Sequence, residues 1–179
     1  MRCTSTASLA AAALLLAPSA AGAAEFEWRL DHRNQPSVLG AVLFEQLITT
    51  AGDESEEGSD PGAVADLALG LPVNEEGGEV FLGLRLGTGA GERRLVAPHL
   101  FYRAYAGEEA WKTFFDAGLL LRIEPLLVGA ARLGFGLQYD LHENWGAYLA
   151  TGASLGYGDA LQVGIDVGAG LQFRFGTAG

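Results

Sequence analysis

The last alternating segment of the chain constrains the fold more than any other feature. From Leu161 to Phe175 every odd-numbered residue is apolar, and every even-numbered residue is polar, charged or glycine. Side chains on a β-strand alternate between two faces, so the segment has one apolar face and one face of Gln, Asp, Arg and Gly. It exceeds a typical strand of roughly 5–6 residues and is long enough to cross a bilayer, which takes about 9–11. It therefore fits either a soluble sheet or a membrane barrel.

The same alternation predicts seven strands in the C-terminal part of the chain. They are Ala63–Val73, Glu79–Thr88, Arg94–Ala106, Trp111–Ile123, Leu127–Asp140, Asn144–Tyr157 and Leu161–Phe175. Glycine makes up 26 of the 179 residues, about twice its usual share of roughly 7%. No segment after residue 24 is a long apolar helix. This pattern favours an all-β protein.

The region before residue 49 leaves two interpretations open. Residues 38–48 fit a strand, or a short helix capped by Ser37 after Pro36. Residues 25–31 alternate as well, and counting both segments would give nine strands. Bacterial outer-membrane barrels usually have an even number. We therefore expect eight strands, with residues 38–48 as the first and residues 25–31 as a periplasmic lead-in.

The N-terminus has the three parts of an export signal. Arg2 supplies a positive charge, Leu9–Ala17 an apolar core, and Ala21-Gly22-Ala23 a small-residue cleavage site. We expect residues 1–23 to be a cleaved signal peptide and residues 24–179 to be a single β-barrel domain. Cys3 is the only cysteine and precedes the apolar core, so the mature chain has no disulfide, thiolate metal site or thiol nucleophile.

The charge balance is strongly acidic. Without Arg2 the chain has 10 Lys and Arg against 22 Asp and Glu, a net charge of −12. Nucleic-acid binding needs a basic face, so no nucleic-acid partner is expected. Residues 49–62 include five of the acids and form the longest predicted loop. The calcium-binding EF-hand pattern is absent, and we expect a solvated extracellular loop.

The composition of the predicted polar faces distinguishes a membrane barrel from a soluble sheet. They consist mostly of glycine, with isolated charges of both signs, whereas a solvated sheet face would carry many long charged side chains. A narrow barrel interior with paired ions accounts for this composition. The expected interior charge network is Lys112, Asp116, Arg122, Arg132, Asp166 and Arg174.

Aromatic residues cluster beside two of the predicted turns and at the end of the last strand. If the C-terminus is periplasmic, these positions share one membrane interface, where aromatic girdles lie. The expected girdle residues are Tyr105, Trp111, Tyr139 and Trp145. A soluble sheet whose turns happen to be flanked by Trp and Tyr is the alternative.

The end of the last strand resembles the C-terminal assembly signal of bacterial outer-membrane barrels. In that pattern a glycine is followed by alternating apolar residues and a closing aromatic, here Gly168, Gly170, Leu171, Phe173 and Phe175. Residues 176–179 follow the aromatic, which is a departure from the pattern. As a pattern over residues 38–175, the chain resembles small eight-stranded barrels of the OmpA-barrel and OmpX type. The resemblance implies a closed antiparallel up-and-down transmembrane barrel, outer-membrane lipid and the barrel-assembly machinery as partners, and a periplasmic C-terminus.

Three functions are compatible with these features. The expected one is an integral outer-membrane protein with a structural or surface-interaction role, not a wide pore; nothing in the sequence identifies its surface partner. A secreted or periplasmic soluble β-barrel binding an apolar ligand is the alternative, and it needs its apolar face inward. A lipid-modifying enzyme is the third, with His99 and Ser154 as candidates, although no recognisable spacing links them. No cofactor motif or metal motif occurs, and we expect no enzyme activity.

Overall fold

A computed structural model describes residues 35–50, 58–73, 78–89, 94–107, 110–124, 127–142, 144–159 and 161–175. These residues form eight strands. They are β1 (Ser37–Thr50), β2 (Gly58–Pro72), β3 (Glu79–Gly89), β4 (Arg94–Ala106), β5 (Trp111–Arg122), β6 (Val128–His142), β7 (Trp145–Gly158) and β8 (Leu161–Arg174). The predicted signal peptide, residues 25–31 and residues 176–179 lie outside the described residues. No helix in the described part of the chain is long and apolar enough to cross a membrane.

The eight strands form one closed antiparallel barrel. Each strand pairs with its neighbours in chain order, and β8 pairs with β1 from Ser37 opposite Arg174 to Thr50 opposite Leu161. Closure leaves no sheet edge, so every strand has a hydrogen-bonding partner on both sides. We call the end that holds Ser37 and Arg174 the terminal end, and the end that holds Thr50 and Gly58 the loop end.

The predicted fold class and strand number are confirmed. Residues 38–48 belong to strand β1 and not to a short helix. The seven other strands agree with their predicted bounds to within two residues, except that β2 begins at Gly58 instead of Ala63. Thr49 pairs with Gly58, so the acidic connection is narrower than residues 49–62 and its middle, residues 51–57, lies outside the described range. β2 begins earlier than expected because it pairs with β1 as far as Thr49.

The turn from β4 to β5 requires glycine. Gly107 follows the last residue of β4 and has a φ of 113°, in the region that L side chains rarely adopt. At the turn from β6 to β7 the pairing register shifts between Asp140 and His142, which marks a local bulge before Trp145. Both turns lie at the terminal end.

Glycines on the inner face make room for large side chains. A Cβ atom on Gly136 of β6 would collide with the ring of Phe114 and lie 2.5 Å from the carbonyl oxygen of Leu149. Phe114 is 2% exposed and belongs to the buried cluster inside the barrel. The abundance of glycine therefore reflects an interior filled by a few large side chains, as is usual at eight strands.

Replacing Gly136 with alanine should destabilise the barrel by about 1–3 kcal/mol, because a well-packed interior resists added volume. Gly40→Ala is the matched control, since a Cβ atom on Gly40 has nothing within 4 Å. Urea unfolding of the refolded protein, followed by tryptophan fluorescence, measures the difference. Equal stability of the two variants would contradict the packing described for Gly136.

Candidate functional site

The outer wall of the barrel is apolar along its whole circumference. Leu67 on β2, Leu119 on β5 and Leu149 on β7 are 63–65% exposed, and large apolar residues occupy outward positions on all eight strands. The outward residues from Trp145 to Leu155 span ten residue steps, which is about 33 Å along a strand and about 25 Å along the axis at a ~40° tilt. That height matches the apolar band of a membrane barrel, roughly 25 Å.

Aromatic rings gather at the terminal end of this wall. Trp111 faces Tyr139 across β5 and β6 with ring centroids 4.7 Å apart. Trp145 faces Phe173 across β7 and β8 at 4.7 Å, and Phe173 contacts Phe175 at 4.8 Å. These five rings lie outside the barrel and border its terminal end. Leu171 is also outward and half-exposed.

Tyr105 does not belong with these rings, contrary to the sequence expectation. Its hydroxyl lies within hydrogen-bond distance of Glu79 Oε2 (3.2 Å) and Gln172 Oε1 (3.0 Å) inside the barrel, and its ring packs on Phe114. The physical reason is strand parity. Tyr105 lies two residues after Arg103, which is buried, so both side chains point inward.

The interior contains as many acids as bases. Six cations are buried, and they are Arg85, Arg103, Lys112, Arg122, Arg132 and Arg174. Six acids are buried, and they are Glu45, Asp66, Glu79, Asp116, Asp140 and Asp166. Six of these twelve residues belong to the charge network expected from the sequence. Their contacts divide them into four groups, each with a formal charge of zero when His99 is neutral.

The terminal group fills the end of the barrel that holds both strand termini. Lys112 Nζ donates to Asp140 Oδ2 at 2.6 Å, and Arg174 Nη1 donates to Asp140 Oδ1 at 3.4 Å. Arg174 Nε also lies 3.7 Å from Glu79 Oε1. Gln172 Nε2 donates to Glu79 Oε2 at 2.7 Å. Two cations thus neutralise two acids there.

The aromatic group fills the lumen next to the terminal group. Arg103 donates from Nε and Nη2 to the two carboxylate oxygens of Asp116, at 2.7 and 2.9 Å. Its guanidinium carbon lies 3.7 Å from the centroid of the Phe114 ring, and 5.1–5.6 Å from three further rings. Those rings belong to Phe81, Phe101 and Tyr148. The bidentate ion pair and the aromatic rings around it fill this part of the lumen with side chains.

The central group is a chain of four charges with one histidine. Arg132 donates from Nε and Nη2 to the carboxylate of Asp166, at 2.9 and 2.6 Å. Arg85 bridges Asp166 Oδ2 at 3.4 Å and Asp66 Oδ2 at 3.0 Å. His99 Nε2 lies 2.7 Å from Asp66 Oδ1. Arg132 also lies near Asp116, at 3.9 Å, which connects the central group to the aromatic group.

The loop-end group contains Ser154, the serine that the sequence suggested as an enzyme candidate. Arg122 donates from Nη2 to Glu45 Oε1 and, at 3.2 Å, to Ser154 Oγ. Arg122 Nη1 donates to Gln162 Oε1 at 3.4 Å. Ser154 is therefore engaged by an arginine, while His99 is engaged by Asp66 in another group. The structure does not bring the two enzyme candidates together as a nucleophile and its base.

Strand parity could have identified further residues of the network from the sequence. Asp66 has the inward parity of β2, Glu79 and Arg85 have the inward parity of β3, and Glu45 has the inward parity of β1. Arg103 shares the inward parity of His99 on β4, the strand whose alternation is least regular in the sequence. Among the described residues, no group of three or more His, Cys, Asp or Glu could hold a metal ion.

The two glycines of the expected assembly signal lie on the inner face of β8. A Cβ on Gly170 would collide with the Tyr148 ring, and one on Gly168 would collide with the Leu43 side chain and the backbone of β1. Phe175 is 49% exposed, and its backbone N–H donates to the Pro36 carbonyl at 2.9 Å. The segment therefore ends with its backbone joined to the first residues of the barrel.

Solved structures of outer-membrane barrels share this fold. Neisserial surface protein A aligns with a TM-score of 0.62 at 13% sequence identity, over 78% of this chain and 97% of that protein. The outer membrane protein OprG from Pseudomonas aeruginosa gives a TM-score of 0.53 at 10% identity, over 81% of this chain and 97% of that protein. No protein-family model and no curated protein sequence matches the chain. The resemblance to small eight-stranded outer-membrane barrels is confirmed at the level of the fold.

Asp166→Asn should destabilise the protein by about 3–5 kcal/mol, because it leaves two buried arginines facing a neutral side chain. Glu124→Gln removes an exposed acid and is the matched control, with an expected change within about 0.5 kcal/mol. Urea unfolding in detergent or vesicles measures both. A loss as small for Asp166→Asn as for Glu124→Gln would show that the central group does not depend on charge balance.

Proposed function

We propose that the chain is an integral protein of the bacterial outer membrane with a structural or surface-interaction role. The inverted polarity of the barrel is the observation that supports this most directly. Twelve charged residues are buried inside and neutralise one another, and large apolar residues cover the outside. Exposing such a wall to water would cost about 1.5–3 kcal/mol for each fully exposed large side chain, whereas lipid removes that cost.

A soluble carrier of an apolar ligand would need the opposite arrangement. Its apolar side chains would line a cavity, and its polar side chains would face water. Here Asp166 and Arg132 are buried, while Leu133 and Ile165 on the same strands are more than half exposed. The parity of the faces therefore argues for lipid.

A wide pore is equally hard to reconcile with this interior. Phe81, Arg103 and Phe114 are at most 2% exposed and meet in the lumen of the barrel. An eight-stranded barrel is narrow enough for side chains to fill it. A structural or binding role therefore depends on the ends and the outer wall of the barrel, not on transport through it.

The orientation that we propose places the terminal end in the periplasm. Both ends of the strand set, Ser37 and Arg174, lie there, so neither terminus has to cross the membrane after export. The signal peptide predicted in residues 1–23 supports export, and the C-terminal pattern ending at Phe175 supports recognition by the barrel-assembly machinery. The acidic connection between β1 and β2 would then face the outside.

The test is membrane fractionation combined with gel migration before and after boiling. The full chain should fractionate with the outer membrane and shift on heating, because a closed barrel resists unfolding in detergent. Phe175→Ser should lower the outer-membrane level several-fold while leaving export intact, and Phe175→Tyr is the control that keeps the aromatic ring. A soluble periplasmic protein without a heat shift would contradict the proposal; an unchanged level for Phe175→Ser would contradict the assembly signal alone.

A further inference from the structure

One cation differs from all the others in the described part of the chain. Seven lysines and arginines lie there, and six of them are buried in the interior groups described above. The seventh, Arg94, is exposed at the first residue of β4, at the loop end. Two exposed acids of the described residues, Glu124 and Asp159, lie at the same end. Arg94 is thus a positive position on an acidic surface.

A groove in the outer wall lies directly beside Arg94. It has a volume of about 560 Å³ and runs across β1 to β4. The groove exists because the outward residues of β2 change from leucine at Leu67 to alanine at Ala65 and Ala63. Larger neighbours form its sides. Those that matter here are Val42, Leu86, Thr88 and Val96.

A second groove provides an internal comparison. It has a volume of about 490 Å³ and lies at the terminal end, between Trp111 and the wall of β7 and β8. Its lining includes Ala147 and Ala169, and it contains no charged residue. The two grooves are similar in size and in their alanine-containing walls. They differ in that only the groove at the loop end has an arginine in its lining.

We propose that Arg94 and its groove bind a phosphorylated, multiply acylated glycolipid of the outer leaflet. Arg94 takes the phosphate, and the groove takes one acyl chain. The proposal rests on the proposed outer-membrane location and on the loop end facing outward. It goes beyond that location because it assigns a lipid class to one place on a predominantly apolar wall.

The chemistry of Arg94 and the shape of the groove select this ligand. A guanidinium presents paired N–H donors that match the oxygens of a phosphate, and it stays charged at an interface. Alanine side chains let a straight acyl chain approach the strand backbone more closely than leucine allows, which increases dispersion contact. Glu124 and Asp159 are negatively charged and repel an anionic headgroup from the other parts of the loop end. Charge therefore places the headgroup at Arg94, and shape places a chain beside it.

The experiment measures binding of fluorescent diphosphoryl lipid A to the purified full chain in neutral detergent micelles, with its dephosphorylated form as the second probe. Arg94→Gln should weaken diphosphoryl binding about five-fold, the effect of roughly one basic residue at an anionic headgroup. It should leave the dephosphorylated probe unchanged. Glu124→Gln is the charge control with the opposite sign and should bind at least as tightly as the unmodified chain.

The groove is tested with a matched pair of space-filling variants. Ala65→Leu fills the groove beside Arg94 and should weaken both probes several-fold. Ala169→Leu fills the groove at the terminal end and should leave both unchanged. A heat shift on gels verifies that each variant is a folded barrel before binding is compared.

Three outcomes would overturn the lipid site. The first is equal affinity of the unmodified chain and Arg94→Gln for the diphosphoryl probe. The second is an equal effect of Ala65→Leu and Ala169→Leu. The third is self-association of the chain that Ala65→Leu abolishes without changing lipid binding, which would assign the groove to a second copy. Because binding is measured on purified protein, failure here is distinct from failure of the proposed location, which membrane fractionation reports.

Discussion

Charge neutrality inside a narrow barrel is the constraint on which the rest of this structure depends. Twelve buried charges are arranged so that each of four contact groups sums to zero, from Lys112 and Arg174 at the terminal end to Arg122 at the loop end. A buried ion is costly unless a partner and further hydrogen bonds compensate it. The pairings cross neighbouring and distant strands, so they can be satisfied together only when the barrel is closed.

The apolar outer wall is the other consequence of the same strand alternation. Strands that send arginine or aspartate inward send apolar residues outward at the next position, as Arg132 and Leu133 illustrate. On the inner face, glycines such as Gly136 leave space for the ring of Phe114. Arg103 and the aromatic rings around it then fill the lumen. One sequence pattern thus specifies a solid interior and a surface that suits lipid.

Much of the fold could be predicted because a period of two is a local property. Seven strands and their faces follow from it, whereas residues 38–48 fitted a strand or a short helix and were assigned to a strand because barrels usually have an even strand number. Ion pairing depends on register and closure, which no local pattern contains, so the Arg85 bridge between Asp66 and Asp166 was not predicted. Tyr105 was placed outside because its position beside a turn outweighed its parity with Arg103. The Arg94 groove is formed by four neighbouring strands together and has no signature in the sequence.

The most direct test of the central claim is cysteine accessibility in a bilayer, which is practical because Cys3 is the only natural cysteine. Ala131→Cys and Ala153→Cys place a thiol on the outer wall, and Ala130→Cys and Ala150→Cys place one inside. In vesicles the outer pair should react with a lipid-dissolved maleimide and resist a charged water-soluble reagent, while the inner pair resists both. Rapid reaction of the outer pair with the charged reagent would contradict the account, because it would mean that water covers the apolar wall.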